Sequence, residues 1–193
     1  MTKASFFYWG PLLLQTKVEE QDLFEVGKLC ERQNSLNHRL AGHLNDQFLI
    51  DNTKLEKILE KYLNIYKQVF SEYYAGTVDF YIQSSWVNFM KRAEFNPPHS
   101  HEGDFSAVLF LSMPDEIKKE NQNFKGSGGV NSGPGELRFF TGVEVQDFIN
   151  EASFLPDRGD LFIFPAKLSH MVAPFKSDVE RISVAFNMKR KPK

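Results

Sequence analysis

Two histidines stand two residues apart at His99 and His101, and two carboxylates, Glu102 and Asp104, follow directly. An apolar run over residues 105–111 comes next, which is typical of a strand. In an extended strand, side chains two residues apart point to the same face, so the two imidazoles lie side by side. Adjacent imidazoles are suitable ligands for divalent transition metals. The segment therefore predicts a metal site that needs at least one further ligand.

A third histidine and an arginine lie farther along the chain. His170 follows an apolar, strand-like segment at 160–165, and Arg181 and Ser183 alternate with apolar residues in another such segment. The side chains of Arg181 and Ser183 therefore share one face of a strand. A guanidinium can bind a carboxylate through two parallel hydrogen bonds, and a hydroxyl can add a third. This second group predicts a site for a small dicarboxylate.

The stretches HSH, GDLFIFPAKLSH and RISVAFN, in this order, resemble the Fe(II)- and 2-oxoglutarate-dependent oxygenase superfamily, and within it the poorly characterised prolyl-hydroxylase-like branch. The resemblance covers roughly residues 78–188. It implies a double-stranded β-helix, a jelly roll whose narrow end holds iron. On that template His99 and His170 are metal ligands. The middle ligand falls on His101, where most members have Asp or Glu.

The middle ligand stays open between three residues. His101 is favoured because it shares a strand face with His99, whereas Glu102 faces away and Asp104 would need a bulge. A three-histidine site has one negative charge fewer than the usual set. It would hold Fe(II) less tightly and could select another divalent metal. A chain that binds no metal is the remaining alternative.

The resemblance also implies which residues bind 2-oxoglutarate. Arg181 would bind the distal carboxylate with help from Ser183, and Asn88, on an upstream strand, would hydrogen-bond the cosubstrate. A buried Asn in the middle of a strand is costly unless it is paired, which favours such a role. Two further residues could line the pocket. Trp86 shares the face of Asn88 and could wall the pocket, or it is a plain core residue. Asn187 either lines the site or ends the last strand.

The function that the resemblance implies is that of a dioxygenase that hydroxylates an unknown substrate. Such an enzyme decarboxylates 2-oxoglutarate oxidatively to succinate, with Fe(II) as cofactor and O2 as the other cosubstrate. The main alternative is a cupin-like barrel that binds Zn(II), Mn(II) or Ni(II) through three histidines, without 2-oxoglutarate chemistry. Arg181 and Ser183 favour the oxygenase, because a simple metal-binding barrel does not need an anchor for a dicarboxylate. A jelly roll used only for protein binding is the third alternative.

Many strands and a few helices must position these residues. Apolar residues at helical spacing predict helices over residues 19–32 and from the capping residues 51–53 to Gly76. Strand-like segments lie at 5–14, 78–89, 105–112, 136–141, 160–165 and 181–188. This pattern predicts an α+β, mostly β fold with helices on one side of a sheet sandwich or barrel. The resemblance narrows it to a cupin-like jelly roll with supporting N-terminal helices.

Domain organisation and connections follow from the same pattern. We expect one domain over residues 1–193, with a strand and the supporting helices in 1–76 and the jelly-roll core in 77–189. Residues 33–53 are polar and irregular and could pass over the site. Residues 126–135 are rich in glycine and form either a mobile lid at the site or an inert connection.

Composition narrows the partners and the compartment. The net charge of −2 argues against nucleic acid and anionic membrane surfaces as partners. No apolar run is long enough to cross a bilayer. The single cysteine, Cys30, excludes an intrachain disulfide, and the aromatic start of the chain is not typical of a signal peptide. We therefore expect a cytoplasmic protein, and a homodimer is among the states that the sequence allows.

Overall fold

A computed structural model describes residues 4–8, 10–37, 42–74, 76–124, 133–141 and 151–192, which form strands and helices in a mostly β arrangement. The strands are β1 (Ala4–Tyr8), β2 (Leu12–Lys17), β3 (Gln47–Leu49), β4 (Phe80–Met90), β5 (Asn96–His99), β6 (Phe105–Ser112), β7 (Leu137–Phe140), β8 (Glu151–Phe154), β9 (Asp160–Pro165), β10 (Ser169–Val172) and β11 (Arg181–Arg190). The helices are α1 (Glu20–Gly27), α2 (Asn52–Tyr73) and α3 (Asp115–Gln122).

The strands form two antiparallel sheets that face each other. The larger sheet has the order β1-β2-β9-β6-β11-β4-β3, and the smaller has the order β5-β10-β7-β8. Apolar side chains from the two sheets pack into one cluster, which includes Leu13, Phe110, Phe162 and Phe164 from the larger sheet and Leu137, Phe139 and Val172 from the smaller. From β4 onward the chain crosses repeatedly between the two sheets, with β7 and β8 consecutive in the smaller one, as in a jelly roll. The predicted α+β, mostly β jelly roll is confirmed.

Helix α2 supports the outer face of the larger sheet. It begins after Asp51, whose carboxylate accepts a hydrogen bond from the backbone N–H of Lys54 (3.0 Å), as the capping residues predict. The buried Tyr66 hydroxyl donates to the carbonyl of Leu12 (3.2 Å) and ties the helix to β2. The buried stripe of α2 recurs at helical spacing and packs with residues of α1, β4, β6, β9 and β11: Leu55, Leu59, Tyr62, Leu63 and Tyr66.

Strand alternation gives the larger sheet a helix side and a cavity side. On β4, Val87 and Phe89 pack in the cluster with the helices, whereas Asn88 between them lines a cavity between the two sheets. On β11, Val184 packs with the helices and Ser183 lines the same cavity. The period of two along each strand therefore aims the predicted polar residues into the space between the sheets.

The first predicted strand, 5–14, is instead a hairpin of β1 and β2. Ala4 pairs with Thr16, and Tyr8 pairs with Leu12. The chain reverses at Gly10, whose φ of +129° is rarely adopted by residues with a side chain. The prediction missed this turn because apolar residues continue on both sides of it.

Helix α1 ends at Gly27 and not at residue 32, the end that the sequence predicts. Past Gly27 the backbone closes tighter i→i−3 hydrogen bonds, from Leu29 N–H to Val26 and from Cys30 N–H to Gly27. Glycine has a low helix propensity and favours such an end. Cys30 therefore lies just beyond the helix, half-buried, and burial raises the pKa of its thiol to about 12.

The sequence pattern did not indicate three short strands and one helix, and the strand expected to carry both His99 and His101, β5, ends at His99. β3, β8 and β10, like β5, have only three or four residues each, too few to display a period of two. β5 contains Pro97 and Pro98, which are tolerated because β5 is an edge strand of the smaller sheet. Helix α3 is almost wholly polar and buries one apolar side chain, Ile117, so it carries no apolar stripe.

The strands of the N-terminal part and those of the jelly-roll core belong to the same larger sheet. β1, β2 and β3, from the first 76 residues, complete the larger sheet together with β4, β6, β9 and β11. The polar segment 33–53 contributes β3 at the edge of that sheet, beside β4. Of the predicted glycine-rich lid at 126–135, residues 126–132 lie outside the described residues. In the part of the chain that the structure describes, no helix combines the length and apolar character needed to span a membrane.

Candidate active site

Three histidine side chains converge between the two sheets. His99 on β5 lies directly opposite His170 on β10, and their ring centroids are 4.3 Å apart. His101 follows β5, and its ring lies 4.8 Å from that of His99 and 5.0 Å from that of His170. One potential ligand nitrogen of each ring lies within 4.8 Å of those of the other two. Two nitrogens that bind one ion at about 2.1 Å are at most about 4.2 Å apart, so a small ring movement closes a metal site.

Backbone carbonyls fix the orientation of two of the rings. Nδ1 of His99 lies 2.7 Å from the carbonyl oxygen of Pro97, and Nδ1 of His170 lies 2.9 Å from that of Leu168. A carbonyl only accepts, so each Nδ1 carries the proton and donates it. Nε2 of both rings is then left with its lone pair. Metal-ligating histidines are commonly oriented in this way by a partner on the other nitrogen.

The protonation states also suit metal binding. Burial lowers the pKa of His99, of His101 to about 3 and of His170 to about 4. The neighbouring imidazoles lower the pKa of His101 and His170 further, because two adjacent imidazolium ions repel each other. All three rings are therefore neutral near pH 7, and neutral imidazole is the form that binds a metal ion.

Neither alternative middle ligand joins the histidines. Asp104 is turned toward the end of β11, where one carboxylate oxygen accepts from the backbone N–H of Arg190 (2.9 Å) and the other lies 3.7 Å from its Nε. Glu102 is exposed at the turn after β5. Across the described ranges, the only group of three or more potential metal ligands is His99, His101 and His170. The structure thus brings His101, and not the nearby carboxylates, to the other two imidazoles.

Arg181, the first residue of β11, is buried in the same cavity between the sheets. Its side chain lines that cavity together with the three histidines, and its residue exposure is only 2%. One Nη donates to the carbonyl of Gly135 (3.2 Å), and the other contacts the sulfur of Met90 (2.9 Å). Gly135 has φ +77°, and a Cβ there would lie 2.5 Å from the Cγ2 of Ile117, so only glycine brings this carbonyl to the guanidinium.

The guanidinium of Arg181 has no anionic partner among the residues that the structure describes. Its Nε is buried without any hydrogen-bond partner. Burial lowers its pKa to about 10, which still leaves it charged at neutral pH. A buried, uncompensated charge is costly, and a carboxylate with two parallel bonds is its best partner. The site therefore fits an anionic group of a small ligand such as 2-oxoglutarate.

Asn88 and Ser183 lie beside each other across the β4–β11 ladder and are both buried. The Asn88 amide nitrogen donates to Ser183 Oγ at 3.5 Å, and the Asn88 carbonyl oxygen accepts from Nε2 of Gln47 at 2.8 Å. Asn88 and Ser183 line the cavity that also holds the histidines and Arg181. The mid-strand Asn is thus paired, as its burial requires.

Trp86 and Asn187 lie toward the opening of the site. The indole of Trp86 is buried and lies 5.8 Å from the ring of His101. Asn187 lies six residues after Arg181 on β11, about 20 Å along the strand. Its side-chain oxygen accepts from Ser106 Oγ at 2.9 Å. Asn187, Trp86, His99 and His101 line a second cavity that opens to solvent, which we call the mouth cavity.

Sequence reasoning missed two residues that complete the site. Gln47 on β3 is 1% exposed and pairs with Asn88 in the ladder, but no motif marks it in its polar segment. Phe164 on β9 packs its ring 4.8 Å from that of His170. Alternation within the apolar segment 160–165 could have identified Phe164, whereas only the pairing of β3 with β4 reveals Gln47.

Comparisons with known proteins agree with this site. The family described as "Putative 2OG-Fe(II) oxygenase" matches residues 84–187, which is more than half of the 193 residues. The matched span runs from β4 to β11 and contains all of the site residues that the sequence predicts. No curated protein matches the chain.

Solved structures share the fold at low sequence identity. A prolyl-4-hydroxylase from Pseudomonas putida has a TM-score of 0.59 and 18% identity, with 93% of each chain covered. The viral collagen prolyl hydroxylase vCPH from Paramecium Bursaria Chlorella virus-1, in complex with 2OG, has a TM-score of 0.59 and 12% identity, covering 93% of this chain and 96% of that one. An oxidoreductase of the 2OG-Fe(II) oxygenase family from Burkholderia pseudomallei has a TM-score of 0.56 and 15% identity, covering 93% and 84%.

The family match carries the assignment, and the shared fold agrees with it. The donor set also fits the group, since imidazole nitrogens suit Fe(II) and a buried guanidinium without an anionic partner among the described residues suits a carboxylate. The chain therefore belongs to the 2-oxoglutarate- and Fe(II)-dependent oxygenases, enzymes that use Fe(II) as cofactor and 2-oxoglutarate and O2 as cosubstrates.

Proposed function

We propose that this enzyme hydroxylates a C–H bond of its substrate, with Fe(II) held by His99, His101 and His170 and the distal carboxylate of 2-oxoglutarate held by Arg181. One observation carries the proposal. A buried guanidinium, without a carboxylate partner among the described residues, lines the same cavity as three converging imidazoles. A metal site alone does not need such a cation, whereas a dicarboxylate bound at the metal needs a charge partner for its second carboxylate.

Three neutral imidazoles supply the metal ligands. The Nδ1 protons of His99 and His170 are engaged by backbone carbonyls, so each ring offers Nε2. The ring of His101 packs beside that of Trp86 and offers the third nitrogen. Three protein ligands on one side of an ion leave the other positions free for cosubstrate and O2.

Arg181, Ser183 and Asn88 form the anchor for 2-oxoglutarate. The guanidinium would neutralise the distal carboxylate of bound 2-oxoglutarate and could donate two parallel hydrogen bonds to it. The Ser183 hydroxyl accepts from the Asn88 amide and keeps its own proton to donate to the cosubstrate. Asn88 has a second amide proton available for the same purpose. This anchor is supported by burial, since all three side chains are at most 5% exposed.

When bound, Fe(II) and 2-oxoglutarate supply the activation of O2 and the oxidative decarboxylation to succinate that drive hydroxylation. The protein itself positions the reactants and keeps water out of the cavity. Phe110, Phe164 and Trp86 wall the cavity with apolar surface and exclude water from it. The substrate approaches through the mouth cavity, past Trp86 and Asn187.

A second candidate function is a three-histidine metal site without 2-oxoglutarate chemistry. The observation that favours it is His101 itself, which stands beside His99 and His170 while the carboxylates of Glu102 and Asp104 do not. A neutral ligand set suits Zn(II), Mn(II) or Ni(II) as well as Fe(II). The unpaired Arg181 favours the oxygenase over this candidate.

Three further expectations rest on the sequence alone. They are the single domain over residues 1–193, the cytoplasmic location and the homodimer. The substrate is a molecule that can bring a C–H bond through the mouth cavity to the three histidines.

Anaerobic titration with Fe(II) and 2-oxoglutarate tests the proposal. The chelate of 2-oxoglutarate on Fe(II) has a visible charge-transfer band, and we expect that band to appear with one equivalent of each and to saturate. The same titration without Fe(II) is the control. Metal binding without a band would favour the second candidate, and absence of both would exclude a metal enzyme.

A further inference from the structure

Three buried polar side chains form a continuous hydrogen-bonded relay across the larger sheet. It runs from Gln47 on β3 to Asn88 on β4 and to Ser183 on β11, which are 1%, 5% and 3% exposed. Gln47 Nε2 donates to Asn88 Oδ1 at 2.8 Å, and Asn88 Nδ2 donates to Ser183 Oγ at 3.5 Å. The strand registers pair Gln47 with Asn88 and Asn88 with Ser183, so the relay is built into the sheet.

All hydrogen bonds of this relay point in one direction. Gln47 donates to Asn88, Asn88 donates to Ser183, and the Ser183 hydroxyl keeps its proton for a further acceptor. Ser183 lines the cavity that contains Arg181, so that acceptor is the anion proposed to bind there. A reversed relay would turn the Asn88 carbonyl oxygen toward the anion, and two acceptors facing each other repel.

The relay leaves one acceptor without a partner at its far end. Oε1 of Gln47 is buried and accepts no hydrogen bond from any residue that the structure describes. Turning the Gln47 amide over would put this oxygen against Asn88 Oδ1, unless the Asn88 amide turned over as well. The Gln47 backbone is held on both sides, since its N–H donates to Asn37 Oδ1 (2.9 Å) and its carbonyl accepts from Leu36 N–H (2.8 Å).

We infer that Gln47 is a positioning residue for 2-oxoglutarate binding. It holds the Asn88 amide so that the N–H groups of Asn88 point toward the cosubstrate and the Ser183 hydroxyl stays free to donate. This inference rests on the proposed function. Gln47 acts through its hydrogen bond to Asn88, and it also lines the mouth cavity near His99 and His101. Residues 1–76, which precede the jelly-roll core, therefore contribute through β3 to the affinity for 2-oxoglutarate.

The test compares Gln47→Glu with wild type in the anaerobic Fe(II) and 2-oxoglutarate titration. Glu keeps the length of the side chain but offers only acceptors to Asn88 Oδ1 when it is ionised. We expect the Kd for 2-oxoglutarate to rise at least about tenfold, because a buried hydrogen bond is replaced by repulsion. The affinity for Fe(II) alone should change less than about twofold. A purely structural role would move both constants together.

Three further variants complete the test. Gln47→Met keeps the approximate shape of the side chain but has neither the amide nor a charge. It is measured beside Gln47→Glu, and the melting temperatures of both variants check that they fold. Gln21→Glu makes the same chemical change on an exposed residue of α1 outside the relay and both cavities, and we expect the wild-type Kd. In an Asn88→Ala background, Gln47→Glu should add less than about twofold, because Gln47 then has no amide to orient.

The outcomes separate the relay from the proposed function. If Arg181→Ala and Asn88→Ala weaken 2-oxoglutarate binding but both Gln47 variants keep the wild-type Kd, the relay is wrong and the anchor stands. Full additivity of Gln47→Glu with Asn88→Ala also overturns the relay. If Arg181→Ala binds 2-oxoglutarate as wild type does, the proposed anchor fails and the inference fails with it.

Discussion

His99 and His170 face each other across the β5–β10 ladder with ring centroids 4.3 Å apart, and each ring is held by the backbone carbonyl two residues earlier in the chain. The same local device therefore orients both imidazoles without a metal. His101 reaches the pair from the turn after β5, anchored by its backbone N–H on the carbonyl of Ala166 (2.9 Å). The pairing of β5 with β10 therefore positions His99 and His170, whereas the turn after β5 positions His101.

Replacing His101 tests whether the third imidazole is a metal ligand. We expect His101→Ala to weaken Fe(II) binding by more than about 100-fold, because losing even an outer-sphere partner of a ligand typically has an effect of 10–100-fold. His101→Asp should bind Fe(II) at least as tightly as wild type, since it adds a negative charge beside the ion. Anaerobic competition of Fe(II) with a chromophoric chelator measures both constants.

His43 provides a matched control for these variants. Its exposed ring stacks on Phe95 at 4.6 Å, and it is not among the three converging histidines. His43→Ala should bind Fe(II) as wild type does. If His101→Ala also keeps wild-type affinity, the metal is held by only two histidines or by another group.

The two carboxylates after His101 test the alternative ligand sets. Asp104→Asn and Glu102→Gln should each leave the affinity for Fe(II) within about twofold of wild type. Asp104 contacts the end of β11 instead, so Asp104→Asn should lower the free energy of unfolding by less than about 1 kcal/mol, as for other partly exposed ion pairs. A large loss of Fe(II) affinity in either variant would mean that a carboxylate swings into the site on metal binding.

The parts of the site that follow strand alternation were predictable from the sequence. Arg181 and Ser183 fall two residues apart on β11, and the larger sheet turns Asn88 to the same cavity. The sequence also placed His99 and His101 on one strand, but β5 ends at His99 and His101 joins the site from the turn that follows. The long strands β4, β6, β9 and β11 were also found, because each is long enough to display its pattern.

The remaining parts depend on contacts between distant segments. The choice of His101 over Asp104 depends on how the chain turns after β5, which no periodicity records. Gln47 joins the site only because a three-residue strand pairs with β4. The hairpin at Gly10 and the early end of α1 at Gly27 depend on backbone conformations that apolar periodicity alone does not indicate.

Acidification should destabilise the metal-free protein in a window set by the histidines. Burial lowers the pKa of His101 to about 3 and of His170 to about 4, below the ordinary value of 6.5. Between these values the unfolded chain binds protons that the folded chain does not, so stability rises with pH. We expect the free energy of unfolding to be constant above pH 7 and to fall from about pH 6.5 downward, as urea titrations in the presence of a chelator will measure.

Other groups with shifted pKa values act at lower pH. Asp46 and Asp79 have pKa values held below the ordinary 3.8 by their lysine partners, and Glu120 has one below 4.5, so their contributions are lost only below about pH 4.5. The variant His101→Asn should flatten the slope between pH 6.5 and 4.5. A metal-free protein whose stability stays constant over that interval would mean that the histidines are hydrated and not buried.

Exchanging Arg181 for methionine tests the anchor through stability alone. At 100 times its Kd, 2-oxoglutarate with a redox-inert metal should stabilise wild type by about 2.7 kcal/mol, which raises Tm by about 5–10 °C. Arg181→Met should lose this increase, yet without ligand it should be at least as stable as wild type, because a buried, unpaired charge is removed. Arg138→Met is the control. Arg138 is equally buried but forms an ion pair with Glu151 (2.6 Å), so this variant should lose stability and keep the increase. Equal stabilisation of Arg181→Met and wild type would contradict the anchor.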